Sequence, residues 1–293
     1  MNGIRRGVAG GWLSLALVLA LAAGAAARPK GVAPVAREPG RRLALVIGNG
    51  VYREAPKLAN PVNDARAMAA ALERVGFRVT LLTDGSHRRM EEAIDTFGLA
   101  LRPEDVGLFY YSGHGVQVRG ENYLIPVDAN PKAATVLKFE ALNAARVLGM
   151  MEAAGNRLNL VILDACRNNP FKGFTKGLDP GLARMDAPSG SLLAYATAPG
   201  QVAEDGAGRN SPYTAALLRH LPTRGLKVED VFKRVRTDVE RATRKAQTPW
   251  EATSLKGDFY FAGAGGAVPP RPPEPPPPAA SPGNSATSSS SRS

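Results

Sequence analysis

Two stretches decide the fold of this chain: Val106-Gly-Leu-Phe-Tyr-Tyr-Ser-Gly-His114-Gly115 and Leu160-Val-Ile-Leu-Asp164-Ala-Cys166-Arg167. Each is an apolar run of strand length that ends in polar or small residues, which is typical of a parallel strand covered on both faces. In an open α/β sheet the ligand crevice lies at the carboxyl ends of the strands. The two runs therefore predict that His114 and Cys166, the one cysteine of the chain, lie at the same edge of a sheet.

Strand and helix patterns alternate from residue 42 to residue 263. Arg42 to Gly48 is a continuous apolar run, and Asn60-Pro61 then opens a helix that extends to Gly76. Further strands are predicted over 77–82, 106–111, 157–163 and 191–196, further helices over 86–101, 143–154, 211–221 and 228–244, a hairpin over 116–126, and an edge strand at 258–261. This order predicts one doubly wound α/β domain, with a mostly parallel sheet of about six strands flanked by helices.

The N-terminus has the pattern of an export signal. Arg5 and Arg6 precede an apolar segment that ends at Ala25-Ala26-Ala27, so residues 1–27 are predicted to be a signal peptide. A retained membrane anchor is the alternative, but the apolar run is short for a spanning helix. We therefore expect an exported protein, periplasmic or secreted, with no stable membrane insertion after signal cleavage.

The domain itself is predicted to span residues 41–263. Residues 28–40 are rich in Pro and Gly and are expected to form a linker. Residues 264–293 are Pro-rich and then Ser-rich, a composition that buries too little apolar surface to fold. They are expected to form a disordered tail, and this tail is a candidate binding site for a partner.

The net charge of +11 admits an anionic partner. The Lys and Arg residues are scattered, however, and aromatic residues make up only 6% of the chain, so the sequence has no basic stripe with stacking side chains. Nucleic acid is therefore not expected as a partner. A nucleotide-binding domain is also disfavoured, because Gly48-Asn49-Gly50 lacks the rest of a phosphate-binding fingerprint.

A single cysteine in an exported protein cannot form an internal disulfide. Cys166 is therefore either an inert buried thiol or a reactive one. A histidine within hydrogen-bond reach can convert a thiol to the thiolate and later protonate a leaving amine. The N–H groups of Gly115 and Cys166 are candidate donors to the oxyanion that such an attack creates.

The motifs Tyr-Ser-Gly-His114-Gly115 and Asp164-Ala-Cys166-Arg167 resemble the catalytic motifs of the caspase-like cysteine peptidases, which include caspases, metacaspases and bacterial orthocaspases. The histidine precedes the cysteine by 52 residues, similar to the spacing in caspases. The resemblance extends from about Leu43 to Phe261. It implies a caspase-like fold and a cysteine endopeptidase without a cofactor, in which Cys166 is the nucleophile and His114 the base and acid.

Three carboxylates match positions that bind the P1 side chain in this family. Asp64 and Asp164 resemble acidic pocket residues of metacaspases, and Asp205 lies where caspases carry an arginine that binds a substrate aspartate. Reversing that charge implies a polypeptide substrate with Arg or Lys at P1, with Arg favoured because it binds bidentately. The alternative is purely structural, with Asp64 in a first helical turn and Asp164 capping a strand end.

Other polar residues fit this chemistry less well. His87 is predicted in a turn, and His220 in the last turn of a helix, where its charge suits the helix dipole. The loop after Cys166 carries the basic residues Arg167, Lys172, Lys176 and Arg184, either as self-cleavage sites or for loop solubility.

No metal site is expected. Calcium-dependent metacaspases have an aspartate soon after the cysteine, whereas Asp179 is the first acid here, and nothing else has the spacing of metal ligands. The main alternative to an enzyme is a proteolytically silent caspase-like scaffold whose tail binds a partner. The presence of both His114 and Cys166 favours the enzyme.

Overall fold

The computed structural model describes residues 40–165, 170, 171, 179, 181–201, 203 and 205–263. Cys166 and the loop residues Arg167, Lys172 and Lys176 lie outside the described residues. The predicted signal peptide, the linker up to residue 39 and the tail 264–293 lie outside them as well.

The described residues form nine strands and six helices. The strands are β1 (Arg42–Gly48), β2 (Arg78–Thr83), β3 (Val106–Ser112), β4 (Gly115–Val118), β5 (Glu121–Leu124), β6 (Leu142–Asn143), β7 (Leu158–Asp164), β8 (Ser191–Tyr195) and β9 (Trp250–Thr253). The helices are α1 (Pro61–Arg74), α2 (His87–Ala100), α3 (Ala134–Glu140), α4 (Ala144–Ala153), α5 (Pro212–His220) and α6 (Val228–Ala242).

A six-stranded sheet with the order β2-β1-β3-β7-β8-β9 forms the centre of the fold. Its first five strands are parallel, and β9 pairs antiparallel with β8 at the edge. Every residue of β3 and of β7 is buried, whereas the edge strand β2 is largely exposed. Continuous apolar runs therefore mark the central strands, as the sequence predicts, and the predicted doubly wound α/β class is confirmed.

The chain reverses its direction of winding at β1. From β1 it passes through α1 to β2 on one side, and then returns through α2 to β3 on the other side of β1. A crevice opens at the carboxyl ends of the strands at such a switch point, and ligands bind there in open α/β sheets. The loop after β1 and the turn after β3 form this crevice.

Helices cover both faces of the sheet. Helix α1 packs beside α5, which packs against α6, while α2 packs against α4. The buried residues of α6 recur at the spacing of one helix face: Val228, Val231, Phe232, Val235 and Val239. Burial of such a stripe on the sheet supplies the main stabilisation of an amphipathic helix.

Strands β4, β5 and β6 form a small antiparallel sheet beside the crevice. Its buried side chains, including Val116 and Tyr123, form a second apolar cluster with Tyr52 and Ala55 from the loop after β1. The predicted hairpin is therefore present, and it fixes the loop that follows β1. Neither β6 nor the short helix α3 was predicted from the sequence.

The predicted edge strand at 258–261 is wrong. Trp250–Thr253 forms the edge of the sheet instead. Phe259 and Phe261 are buried in the core with their rings 5.2 Å apart, and the Arg42 guanidinium lies 5.1 Å from the Phe259 ring. Arg42 also donates hydrogen bonds to the carbonyls of Tyr260 and Phe261. An apolar pattern of this length does not distinguish a strand from an extended core segment.

Candidate active site

His114 lies just beyond β3, in a turn that requires glycine at position 113. Gly113 has a φ of +155°, and a Cβ atom there would lie 2.6 Å from Tyr52 Oη and 2.7 Å from Tyr111 Oη. A side chain cannot be accommodated at such distances, so only glycine allows this close approach. Both tyrosine hydroxyls can therefore reach the backbone of His114.

The two tyrosines fix His114 from both sides. The His114 N–H donates to Tyr52 Oη over 2.8 Å, and Tyr111 Oη donates to the His114 carbonyl, also over 2.8 Å. The Tyr52 ring centroid lies 4.5 Å from that of His114. The histidine is 4% exposed, so its orientation is determined by these contacts.

The carbonyl of Pro56 selects the tautomer of His114. The His114 Nε2 atom lies 2.8 Å from Pro56 O. A carbonyl oxygen only accepts hydrogen bonds, so Nε2 carries the proton of the neutral ring. The basic atom of the neutral ring is then Nδ1.

The ends of β3 and β7 are aligned. Ser112 pairs with Asp164 in the parallel register, and the Gly113 N–H donates to the Asp164 carbonyl over 3.4 Å. Cys166 lies outside the described residues, but it follows Asp164 by two positions, as His114 follows Ser112. This register brings Ser112 and Asp164, the described residues of the two motifs, to one edge of the sheet, and the position of Cys166 beside His114 stays a prediction.

Gly115 packs against the residue that precedes Cys166. A Cβ atom at Gly115 would lie 3.1 Å from Ala165 Cβ and 3.2 Å from Leu182 Cδ2. The absence of a side chain at Gly115 therefore allows its backbone to lie close to Ala165, the residue that precedes Cys166. The role of the Gly115 and Cys166 amides as oxyanion donors stays a prediction.

Asp64 and Asp164 lie together behind the ends of β3 and β7. Asp64, at the start of α1, accepts hydrogen bonds from Asn210 Nδ2 (2.8 Å), the Ser211 N–H (3.1 Å) and Ser112 Oγ (3.2 Å). Asp164 Oδ2 accepts hydrogen bonds from Ser211 Oγ (2.5 Å) and Thr214 Oγ1 (2.7 Å). Both carboxyl groups are buried, and Ser211 donates to each of them.

Burial changes the protonation of this pair. Desolvation, and then the charge of Asp164, raises the pKa of Asp64 from 3.8 to about 7. Burial and the same two carboxylates raise the pKa of the neighbouring Tyr110 well above 10. Tyr110 is therefore a neutral hydrogen-bond donor, and near pH 7 Asp64 is partly protonated, so that a bound cation would favour its ionised form.

Asp205 lies farther along the same side of the domain. Its Oδ2 accepts a hydrogen bond from the Ala59 N–H over 3.4 Å, and its carbonyl accepts one from Asn60 Nδ2 over 2.5 Å. The structure therefore joins Asp64 and Asp164 through Ser211 and places Asp205 against the residues that precede α1. Asn60 occupies the N-cap position of α1, but its side chain binds this loop and makes no cap hydrogen bond.

The remaining candidates from the sequence are His87, His220 and Arg184, and each of them contacts an acidic side chain. His87 is the first residue of α2, within the helix predicted over 86–101 and not in a turn, and its N–H donates to Asp128 Oδ1 over 2.8 Å. His220 Nε2 lies 2.8 Å from Asp238 of α6. Arg184 is exposed, and its Nε lies 4.0 Å from Asp186 Oδ1.

Several site residues had not been singled out from the sequence. Tyr52 and Pro56 lie in the loop after β1, and Asn210, Ser211 and Thr214 lie at the start of α5. The dipeptide Ser211-Pro212 identified a helix start, and the structure confirms that Ser211 Oγ caps α5 by accepting from the Thr214 N–H. No local pattern indicates which partners these side chains bind.

Neither a metal-binding cluster nor a membrane-spanning helix is present among the described residues. Among the described residues, no group of three or more His, Cys, Asp or Glu side chains is arranged to hold a metal ion. In the same part of the chain, no helix is long and apolar enough to cross a membrane.

Comparison with known proteins adds evidence independent of the geometry. The family model for the caspase domain of peptidase C14 matches residues 41–260. The chain is 33% identical over 168 residues to mucosa-associated lymphoid tissue lymphoma translocation protein 1 of Homo sapiens, a match that covers 57% of this chain and 19% of that protein. The Mus musculus homolog matches to the same extent, so the chain spans about a fifth of the length of these curated relatives.

A solved structure supports the same fold. Protein GSU0716 from Geobacter sulfurreducens is similar to this chain with a TM-score of 0.56 and 20% identity, over 76% of this chain and 99% of that one. The likeness is one of fold, and it agrees with the family match, which covers most of the described chain. The chain therefore belongs to the peptidase C14 family of caspase-domain proteins.

Proposed function

We propose that the protein is a cysteine endopeptidase that cleaves polypeptides after Arg or Lys, with His114 and Cys166 as its catalytic residues. The observation that carries the proposal is the pairing of Ser112 with Asp164, because His114 and Cys166 each follow by two residues. The hydrogen bond between His114 Nε2 and Pro56 supports it, since it leaves Nδ1 as the basic atom of the ring.

The proposed reaction proceeds in two stages. His114 takes the thiol proton of Cys166, and the thiolate sulfur attacks the carbonyl carbon of the scissile bond. The amides of Gly115 and Cys166 donate to the resulting oxyanion. The C–N bond then breaks as His114 returns its proton to the leaving amine, and water hydrolyses the thioester to release the acid and regenerate the thiol.

The preference for a basic P1 side chain rests on buried negative charge. Asp64 and Asp164 are both buried and linked through Ser211, and Asp205 accepts a hydrogen bond from Ala59, which precedes α1. A guanidinium or ammonium group would compensate charge that water cannot reach. We assign these three carboxylates to the P1 pocket.

The test is hydrolysis of fluorogenic peptides that end in Arg, Lys or Asp, by the wild type and by Cys166→Ala. We expect cleavage after Arg and Lys that is absent in the variant and unchanged by calcium or its chelation. Cleavage after Asp would refute the acidic pocket. A folded wild type with a free thiol and no turnover would instead favour the caspase-like scaffold whose tail binds a partner.

Self-cleavage in the loop after Cys166 is a further part of the proposal. The basic side chains at Arg167, Lys172, Lys176 and Arg184 lie near the nucleophile in sequence. Mass spectrometry of the purified wild type should then detect cuts within 167–184 that are missing from Cys166→Ala. An intact wild type with full peptidase activity would show that these residues serve only loop solubility.

We also propose that the protein is exported, to the periplasm or beyond the cell. The proposal rests on Arg5, Arg6 and the apolar segment before Ala25-Ala26-Ala27. N-terminal sequencing of the protein recovered from cell fractions tests it, because cleavage near residue 27 is expected in the exported form. Recovery of the intact N-terminus in the membrane fraction would indicate a retained anchor.

A further inference from the structure

Ser211 donates a hydrogen bond to each of the two buried carboxylates of the proposed P1 pocket, Asp64 and Asp164. Its N–H donates to Asp64 Oδ1 over 3.1 Å, and its hydroxyl donates to Asp164 Oδ2 over 2.5 Å. The residue is 1% exposed. The separation and orientation of the two carboxyl groups are therefore linked through a single side chain and its own amide.

The other hydrogen bonds of Ser211 and Thr214 indicate the direction in which each hydroxyl group donates. Ser211 Oγ accepts from the Thr214 N–H over 2.9 Å, so its O–H is left to donate to Asp164. Thr214 Oγ1 donates to the same carboxylate oxygen over 2.7 Å. Because the Thr214 proton is used in this way, Tyr110 Oη donates to Thr214 Oγ1 over 2.6 Å. Asp164 Oδ2 therefore accepts hydrogen bonds from both hydroxyl groups.

This arrangement matters for the choice between arginine and lysine. A guanidinium presents several N–H donors in a rigid planar fork, and it discriminates only where the acceptor oxygens are held in a fixed geometry. An ammonium is a compact charge that tolerates displaced acceptors. A residue that locks Asp64 and Asp164 together therefore favours arginine.

We propose that Ser211, supported by Thr214, is a positioning residue that sets the geometry of Asp64 and Asp164 and so determines the preference for arginine over lysine at P1. The proposal rests on the proposed function. Ser211 does not touch the scissile bond, so its contribution lies in substrate binding and not in the chemical step.

The experiment compares KM and kcat for matched peptides ending in Arg and Lys. Ser211→Gly removes the hydroxyl, while glycine still serves as an N-cap at a small cost. Thr214→Val removes the second hydroxyl without touching the cap, because its N–H remains. Ser211→Thr restores the hydroxyl, and Ser86→Gly removes the equivalent cap of α2, away from the pocket.

We expect Ser211→Gly to raise KM for the Arg peptide roughly tenfold, as for loss of a hydrogen bond to a charged group. Its kcat should stay within about twofold, and its preference for Arg over Lys should fall by a similar factor of roughly ten. Thr214→Val should change KM in the same direction, Ser211→Thr should restore selectivity, and Ser86→Gly should leave it unchanged. Thermal denaturation of every variant shows whether the fold is kept.

Two results would overturn this inference while they leave the proposed function intact. If Ser211→Gly and Thr214→Val retain the parental ratio of Arg to Lys cleavage, the two hydroxyls do not set selectivity. If kcat falls equally with both peptides while KM is unchanged, Ser211 supports the fold alone. A wild type that cleaves neither peptide would refute the proposed function itself, and this inference with it.

Discussion

Replacement of Asp64 by Asn is expected to stabilise the protein at alkaline pH while it reduces cleavage after arginine. Burial raises the pKa of Asp64 from 3.8 to about 7, so the folded state retains a proton that the unfolded chain releases between these pH values. Stability therefore falls as pH rises from about 4 to about 7, at roughly 1.4 kcal/mol per pH unit, and the loss reaches about 4 kcal/mol above pH 7.

Asparagine is the same size as aspartate and has no such titration. Its carbonyl can accept from Asn210 and Ser211, while its amide can donate to Ser112 Oγ. The stability of Asp64→Asn relative to the wild type should therefore increase by roughly 2–3 kcal/mol between pH 5 and pH 8.5. For a domain of this size, that difference corresponds to a shift in melting temperature of roughly 5–10 °C.

The assay is chemical and thermal denaturation of both proteins at pH 5 and pH 8.5. Asp95→Asn, which removes an exposed carboxylate paired with Arg146, controls for the loss of one negative charge. A difference between Asp64→Asn and the wild type that is the same at both pH values, or a variant destabilised at pH 8.5, would refute the reasoning. Cleavage after Arg, measured on the same samples, should fall at least tenfold, in line with loss of a charge-assisted contact.

Three further substitutions test how the site is held. Tyr52→Phe keeps the ring beside His114 but leaves the His114 N–H without its acceptor, so kcat should fall roughly tenfold and the free energy of unfolding by roughly 1–3 kcal/mol. An unchanged kcat in peptide hydrolysis would count against this role of Tyr52. Gly113→Ala places a Cβ atom 2.6 Å from Tyr52 Oη and should lower the free energy of unfolding in urea by roughly 1–3 kcal/mol. A variant as stable as the wild type would contradict the close approach of Tyr52 to the backbone at Gly113. Asn122→Ala removes both 2.7 Å hydrogen bonds to the Ala183 backbone and should make trypsin cleave faster at Arg184. A variant that trypsin cleaves at the wild-type rate would contradict this prediction.

Much of the fold follows from patterns that are local in the sequence. The buried runs of β3 and β7 identify the two central strands, because burial on both faces favours apolar residues along most of the strand. The segment at 258–261 shows the limit of this reasoning. Phe259 and Phe261 are as buried as the residues of a central strand, but the carbonyls of Tyr260 and Phe261 bind Arg42 and do not extend the sheet.

The sequence by itself determined the class of the fold, the two strand ends that carry His114 and Cys166, and the family motifs around them. Only the tertiary structure decided which groups hold these side chains. Tyr52 and Pro56 reach His114 across 62 and 58 residues of chain, and Ser211 reaches Asp64 across 147. Strand and helix periodicity records the burial of each residue along its own element, whereas these hydrogen bonds form only when packing brings distant loops to the same edge of the sheet.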